Sequence, residues 1–535
     1  MAKPARVSGM VALSLKQWPT QLLSDRRARR TIPREDEMAK FKGNDGHLNS
    51  STLVNRRDLL RATAAFGAAV SVGGTAIAQP AIARTAVTQP DTAPPAGGDI
   101  LIRGGHVLSM DPDIGDLAVG DVHISNGAIV AVGEGLDAPG AIVMDASDMI
   151  VLPGFVDTHS HLWNAFLRGS IRGDDPVRGY FPTTNRAAPL TTPDDAHASV
   201  RFGVLEALLS GTTCINNFSH NTRSLKHAEA EIEAARSLGI RSRFSHGPGG
   251  RDGTLDFASV EEVISNWGDA DPLVTLGVNL RLPAADILQS GGDAETFVAE
   301  VRFARERGLP VSLHYGNSAH GLVDLMERHD LLGPDILMIH TQGFTLEERE
   351  LMVSRDVQFS MSPAIEIPYS TVRNGYIQFA ELEDLGASLG LSIDASSAVA
   401  TADFFTVMRA LQWSHKQRGD IDRMSLEPRR IVEIATLGGA AALGMGDRIG
   451  SLTAGKRADI QLVRKTDINM APVLDPYFSL VYSGQPANVD TVIVDGHVLV
   501  SGGQPVMVDT ADVVATASEA ALRLHDELEA IIAKG

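Results

Sequence analysis

Val151–Leu162 reads V-L-P-G-F-V-D-T-H-S-H-L and ends on residues that can do chemistry, Asp157, His159 and His161. The apolar, partly β-branched run that precedes them has the character of a buried strand. Side chains on a strand alternate between faces, so His159 and His161 point the same way. Two neutral imidazoles on one face can share a divalent ion, because zinc-type ions take ring nitrogens as ligands. Two ligands do not complete a tetrahedral site, and a lone H-x-H fits a polar turn equally well. The rest of the chain must supply what is missing.

Eight runs have strand character: Ile150–Asp157, Thr212–Asn217, Arg241–Ser245, Leu273–Leu280, Pro310–His314, Ile336–His340, Val357–Met361 and Leu389–Asp394. Helical stretches separate them, and repeated βα units imply a parallel sheet. Eight such units close into a TIM-type barrel, where chemistry sits at the C-terminal strand ends. Metal-type residues fall at those ends. His159 and His161 close the first run, His314 the fifth, His340 the sixth and Asp394 the eighth. With 16 histidines in 535 residues, chance is a poor account of that placement.

Short β-rich runs flank the barrel, at Asp99–Leu108, Gly120–Gly133 and Ala141–Asp145 before it and Ala458–Val463 and Val489–Val500 after it. Asp495-Gly496 is a hairpin turn signal. The expected fold is therefore α/β, a TIM-type (β/α)8 barrel with a small β-sandwich domain formed from both chain ends. Its boundaries are 99–150 and 449–508 for the β domain, 151–448 for the barrel and 509–535 for a C-terminal helix. That helix reads as a surface brace or an oligomer contact.

Composition narrows the function classes. The chain is 44% hydrophobic and 21% charged, long enough for a large core with satellite elements. A formal net charge of -19 argues against a nucleic-acid or anionic-membrane partner. Cys214 is the only cysteine, which excludes an intrachain disulfide and a cysteine-rich metal cluster. Aromatics at 5% give no sign of a stacking platform for polymers, so a small-molecule substrate is expected.

Residues 1–54 are polar without apolar periodicity and are expected to be a disordered extension, with Met38 as an alternative start. Asn55-Arg56-Arg57-Asp58-Leu59-Leu60-Arg61 resembles a twin-arginine motif, and an Ala- and Gly-rich stretch with small-residue cleavage patterns follows it. A signal peptide is expected over 55–83 and a linker over 84–98, giving a periplasmic or secreted product. The apolar stretch is too short and glycine-rich to span a bilayer comfortably.

The order H-x-H, His, His, Asp on strands one, five, six and eight, flanked by a split β domain, resembles the amidohydrolase superfamily. So do the motifs P-G-F-V-D-T-H-S-H and A-G-K-R-A-D. Within it the chain is most similar to the branch of cytosine and guanine deaminases and triazine hydrolases, over roughly Asp99 to Gly503. The resemblance implies one divalent metal held by His159, His161, His314 and Asp394, with His340 beside the metal's water. Zinc is the expected ion; iron or manganese suits the same ligands. Asp394 would take the water's proton and His340 would polarise the leaving group or oxyanion. Binuclear relatives add a lysine or glutamate on strand four, and Leu273–Leu282 contains neither. The resemblance also implies a homo-oligomer.

One position departs from the pattern. The deaminases carry a glutamate three residues after the strand-five histidine, and here that residue is Asn317. An amide cannot shuttle protons. Either Glu366, shortly after the seventh run, serves as the acid, or the substrate needs nothing beyond Asp394 and His340. A solvated loop carboxylate is the plain alternative for Glu366. Catalytic candidates are thus His340, Asp394 and Glu366. Substrate-binding candidates are Trp163, Arg168, His220 and Asn317, with Arg172 and His246 as weaker ones; an arginine there could clamp a carboxylate or ring carbonyl. Phe404, Phe405 and Trp413 read as core first and substrate wall second.

Three functions stay open. The first is metal-dependent hydrolysis of a ring or amide C–N bond, by deamination or cyclic amide opening. The second is hydrolysis of another bond, carbon–halogen or acyclic amide, on the same fold. The third is a catalytically weak metal-containing binding protein.

Overall fold

The computed structural model describes residues 98–534 except 174, 251–252, 316–319, 341, 370–377 and 417–425. The expected extension, the twin-arginine signal, nearly all of the linker and Asn317 lie outside the described residues.

Five strands come first: β1 (Ile100–Leu108), β2 (Asp116–Ser125), β3 (Ala128–Gly133), β4 (Ile142–Asp145) and β5 (Met149–Pro153). The barrel strands follow as β6 (Phe155–Ser160), β7 (Thr212–Ser219), β8 (Arg241–His246), β9 (Val274–Leu280), β10 (Val311–His314), β11 (Ile336–Ile339), β12 (Gln358–Met361) and β13 (Ser388–Leu391). The chain returns through β14 (Ile460–Arg464), β15 (Val489–Val494), β16 (His497–Ser501) and β17 (Gln504–Pro505).

Strands β6 to β13 pair in parallel in chain order. Parallel strands are covered on both faces, which is why β7 and β8 are buried at every residue. The ring is nearly closed. A bridge between Ser160 and Asp394 joins its two edges. There the Asp394 amide donates to the His159 carbonyl at 2.9 Å and the His161 amide to the Asp394 carbonyl at 2.8 Å. The closing seam therefore runs through three of the expected metal ligands.

Both chain ends build the second sheet, in the order β17-β16-β15-β14-β5-β1-β2-β3 with β4 paired to β1. Antiparallel pairing of β5 with β14, Pro153 opposite Ile460, joins the two ends. The sheet has a core cluster of its own, including Ile102, Val122, Val151, Ile460 and Ile493. Its strands hydrogen-bond as one continuous sheet from both chain ends, which bears out the expected separate β-sandwich domain in part. Asp495 and Gly496 both take positive φ, 52° and 79°, as the β15–β16 hairpin turn requires.

Ile150–Asp157, read as one strand, is two. The run is apolar throughout, so nothing in its pattern marks the break; Gly154 does. A Cβ there would lie 2.1 Å from Thr213 Cγ2, and the chain passes from one sheet to the other at that close approach.

At the start of β8, Arg241 Nε and Nη2 donate to Asp459 at 2.7 and 3.0 Å, and Nη2 donates to Asp495 at 2.9 Å. Arg457 Nε donates to Asp495 as well, at 2.5 Å. Asp459 of the A-G-K-R-A-D motif is thus a buried structural acid. In the helix Phe404–Lys416, Phe404 and Phe405 are buried against Phe155. Trp413, expected in the core, is 55% exposed because it falls on the outer face of that amphipathic helix. The C-terminal helix Thr510–Ile532 buries Val513, Ala517, Leu524 and Leu528, and so is a brace on the barrel's outer layer.

Candidate metal centre and active site

Strand ends bring the predicted ligands together. His159 leaves β6 fully buried, and its Nε2 lies 3.1 Å from His314 Nε2 at the end of β10. Asp394 Oδ1 stands 3.5 Å from His159 Nε2 and 3.3 Å from His161 Nε2, and Asp394 Oδ2 stands 3.3 Å from His340 Nε2. His340 and Asp394 both adopt left-handed backbone, φ 64° and 66°. Such a conformation costs a non-glycine residue about 1–3 kcal/mol and persists only where the surroundings enforce it. Here it turns each side chain inward just past the end of its strand.

Burial and the neighbouring His161 hold the His159 imidazole neutral, its pKa down to about 3. Burial and His159 likewise depress His314 well below the usual histidine range. Asp394 goes the other way. Burial opposes its charge, but hydrogen bonds from His159 and His161 prevail and keep the carboxyl well below its ordinary value. Neutral imidazoles 3.1 Å apart with an anionic carboxylate beside them are the donor set a zinc-type ion takes. His159, His161 and Asp394 place ligand atoms within 4.8 Å of one another, as do His159, His314 and His340. The residues fit a divalent metal.

Asp157 supports this set from behind. Its carboxylate accepts from the His159 amide at 3.2 Å, the Ile393 amide at 3.1 Å and Ser160 Oγ at 2.5 Å, tying both edges of the seam. Burial raises its pKa to about 7.

Glu366 is no solvated loop carboxylate. Its side chain is 3% exposed, and Oε1 lies 3.0 Å from His340 Nδ1 while accepting from the Ser362 amide at 3.0 Å. Oε2 is buried with no hydrogen-bond partner among the described residues. For His340, burial lowers the pKa, yet the bond to Glu366 and the charges of Asp394 and Glu366 raise it above the ordinary value.

A cavity of about 970 Å³ opens above these groups, lined among others by Trp163, Tyr180, His220, Arg281, Gln342 and Glu366. Trp163 and His220 were expected there. Trp163 Nε1 donates to His220 at 3.3 Å, and burial keeps His220 neutral. Arg168 is not there. Its guanidinium pairs with Glu206 and lies over the Phe202 ring, so it serves packing of the outer layer instead of a substrate. His246 also turns away, to Ser259 Oγ at 3.1 Å.

Tyr180, Arg281 and Gln342 were missed. Arg281 directly follows β9, so the strand-end rule that found the histidines could have found it. It donates to the Gly250 carbonyl at 2.8 Å and the His220 carbonyl at 3.1 Å, holding two wall loops together. Tyr180 opens a short helix, Tyr180–Ala187, that the sequence reading did not pick out. Its hydroxyl accepts from Asn164 Nδ2 at 3.2 Å, and Asn164 Oδ1 accepts from Ser397 Oγ at 2.8 Å.

Fold and donor set together define a TIM-barrel hydrolase built around a divalent metal. Residues 150–499 match the Amidohydrolase family, and the chain belongs to it. It is 26% identical over 452 residues to 5'-deoxyadenosine deaminase of Methanosarcina barkeri, covering 81% of this chain and 100% of the relative. It is 25% identical over 451 residues to 5-methylthioadenosine/S-adenosylhomocysteine deaminase of Desulforamulus reducens, covering 79% and 99%. Among solved structures it is similar to a zinc-bound adenosine deaminase from Xanthomonas campestris, with TM-score 0.70, 24% identity and coverage of 81% and 100%. Atrazine chlorohydrolase from Arthrobacter aurescens TC1 complexed with zinc gives TM-score 0.70, 23% identity and coverage of 79% and 100%. These structural likenesses concern the fold. Family and deaminase relatives together make the chain a hydrolase of carbon–nitrogen bonds.

Proposed function

We propose that this chain is a zinc-dependent aminohydrolase that exchanges an exocyclic amine on a small nitrogen heterocycle for oxygen. The observation that carries this is the Asp394 carboxylate, one oxygen facing His159 and His161 and the other facing His340. The deaminase relatives support the bond class, and the donor set supports the ion.

His159, His161, His314 and Asp394 would hold the ion. When bound, zinc lowers the pKa of a coordinated water to about 7 and so supplies hydroxide near neutral pH. Asp394 accepts the proton given up as water attacks the ring carbon. Negative charge then builds on the adjacent ring nitrogen, and His340 donates a hydrogen bond to it. Ammonia leaves with the proton that Asp394 accepted, so one C–O bond forms as one C–N bond breaks. Glu366 acts through His340: it fixes the ring's orientation and favours its protonated form. It is a positioning residue, which answers the loss of a glutamate at Asn317 differently from an acid that swings in.

The Asn55–Arg61 motif supports export of the folded, loaded enzyme to the periplasm; substituting Arg56 and Arg57 with lysine should retain it in the cytoplasm. The activity is tested by incubating zinc-loaded protein with a pooled panel of amino-heterocycles, cyclic amides and halogenated rings, followed by mass spectrometry. Exchange of amine for oxygen with ammonia release is expected. Halide loss or simple water addition in its place would sink the proposal.

A further inference from the structure

The wall that faces the metal ligands is a short helix, Tyr180–Ala187, entered at Gly179 without a side-chain cap. Eight residues do not hold a helix in water, so support must come from outside. Asp175 Oδ1 accepts from the Val177 amide at 2.8 Å and the Arg178 amide at 2.6 Å, and the Gly179 amide donates to the Asp175 carbonyl at 2.7 Å. A Cβ at Gly179 would lie 2.5 Å from that carbonyl oxygen, so the turn is closed tightly. The turn carries Arg178 outward while Tyr180 faces inward, its ring centroid 6.5 Å from that of His161.

Arg178 meets the far end of the chain. Its Nε and Nη2 donate to the two carboxylate oxygens of Glu529 at 3.1 and 2.7 Å, across 351 residues. Ser170 Oγ lies 3.4 Å from His525 Nδ1. Ala187, at the other end of the wall helix, is fully buried in one apolar cluster with Phe166, Leu167, Ala517, Leu524 and Leu528. Arg523 pairs with Asp195, anchoring the C-terminal helix to the first turn of helix Pro193–Leu209.

We propose that the C-terminal helix is a working part of the substrate site: it clamps the wall helix at both ends and so holds Tyr180 against the metal centre. Arg178, Glu529 and Leu528 are its positioning residues. An ion pair this exposed is weak alone, so the apolar cluster carries the larger share and the pair fixes the angle. The clamp rests on the proposed function only in taking the cavity as the substrate site.

The test uses full-length, zinc-loaded protein with Leu528→Ala, Arg178→Glu, Glu529→Arg and the double charge swap. Hydrogen exchange of residues 178–187 is read beside KM and kcat on a substrate from the panel. Leu528→Ala should speed exchange there about tenfold and each charge variant about threefold, with β6 and β10 unchanged. KM should rise severalfold with kcat nearly kept, since uniform binding is lost. The double swap should restore both readouts. Unchanged exchange across 178–187, or a swap that restores nothing, overturns the clamp; faster exchange with an unchanged KM overturns its link to substrate. If the wild type converts nothing, the proposed function fails, and exchange alone decides the clamp.

Discussion

Two buried clusters of ionisable groups sit at opposite ends of the barrel strands, and they differ in how their charges are met. At the N-terminal end of β8, Arg241 and Arg457 face Asp459 and Asp495, and every short contact joins a donor to an acceptor. At the C-terminal ends, His159 Nε2 faces both His314 Nε2 and Asp394 Oδ1, so imidazoles crowd one carboxylate and no guanidinium answers it. Matched burial of charge is a structural device; several ionisable groups with shifted titration converging on one point beneath a cavity are the mark of a functional site. Backbone does not separate the two, since Asp495 in the first cluster takes positive φ, 52°, as His340 and Asp394 do in the second.

The contrast can be broken experimentally. Asp394→Asn should lower kcat by about a thousandfold, the middle of the range for losing a proton acceptor. Thermal stability of the metal-free protein should fall less than in Asp459→Asn, because Asp394 faces imidazoles and not a permanently charged guanidinium. A large fall in Tm would move Asp394 to the structural side. Asp459→Asn should do the reverse, costing about 3 kcal/mol in urea unfolding because the buried Arg241 loses its two-point partner and keeps only Asp495. Its kcat, measured on folded protein, should stay within about twofold of wild type, as changes remote from the chemistry act on stability.

Glu366→Gln sharpens the functional side. It should reduce kcat about 10- to 100-fold, as losing a group that orients a catalytic one does. The pH profile carries the sign. His340 donates only while protonated, so activity is present below its raised pKa and is lost as pH rises through it. Without the Glu366 charge that pKa falls, and the alkaline limb of kcat/KM should move to lower pH. A limb that stays in place would show that Glu366 does not act through His340. The smallest effect belongs to Arg168→Ala, with KM unchanged and stability reduced by under about 1 kcal/mol in the same urea assay, as for a partly exposed ion pair.

What the sequence made legible follows from periodicity. The barrel strands were readable because buried parallel strands are short apolar runs, although the first was merged with β5, and the candidate ligands were readable because they end those runs. Glu366 was readable only as a suspicion: its contact with His340 spans 26 residues and depends on the turn at Ser362. Arg168 was misread because Glu206, its partner, comes 38 residues later on a different helix. Tyr180 lies on a segment whose placement is set by residues near the chain's end, and no local pattern encodes such a contact. The β domain was legible only in part for a related reason: alternation identifies strands but not how many edges they leave paired.

Gly154 has a consequence for how this chain can vary. The link from Pro153 to His161 fixes the phase of the alternation along β6, and one inserted residue would shift it by half a period. Both histidines would then turn to the helix side, away from Asp394. A substitution in this stretch costs one side chain, whereas a change of length displaces both histidines at once. The terminal sheet, which contributes none of the candidate metal ligands, thereby sets the timing of the ligands through a glycine pressed against Thr213.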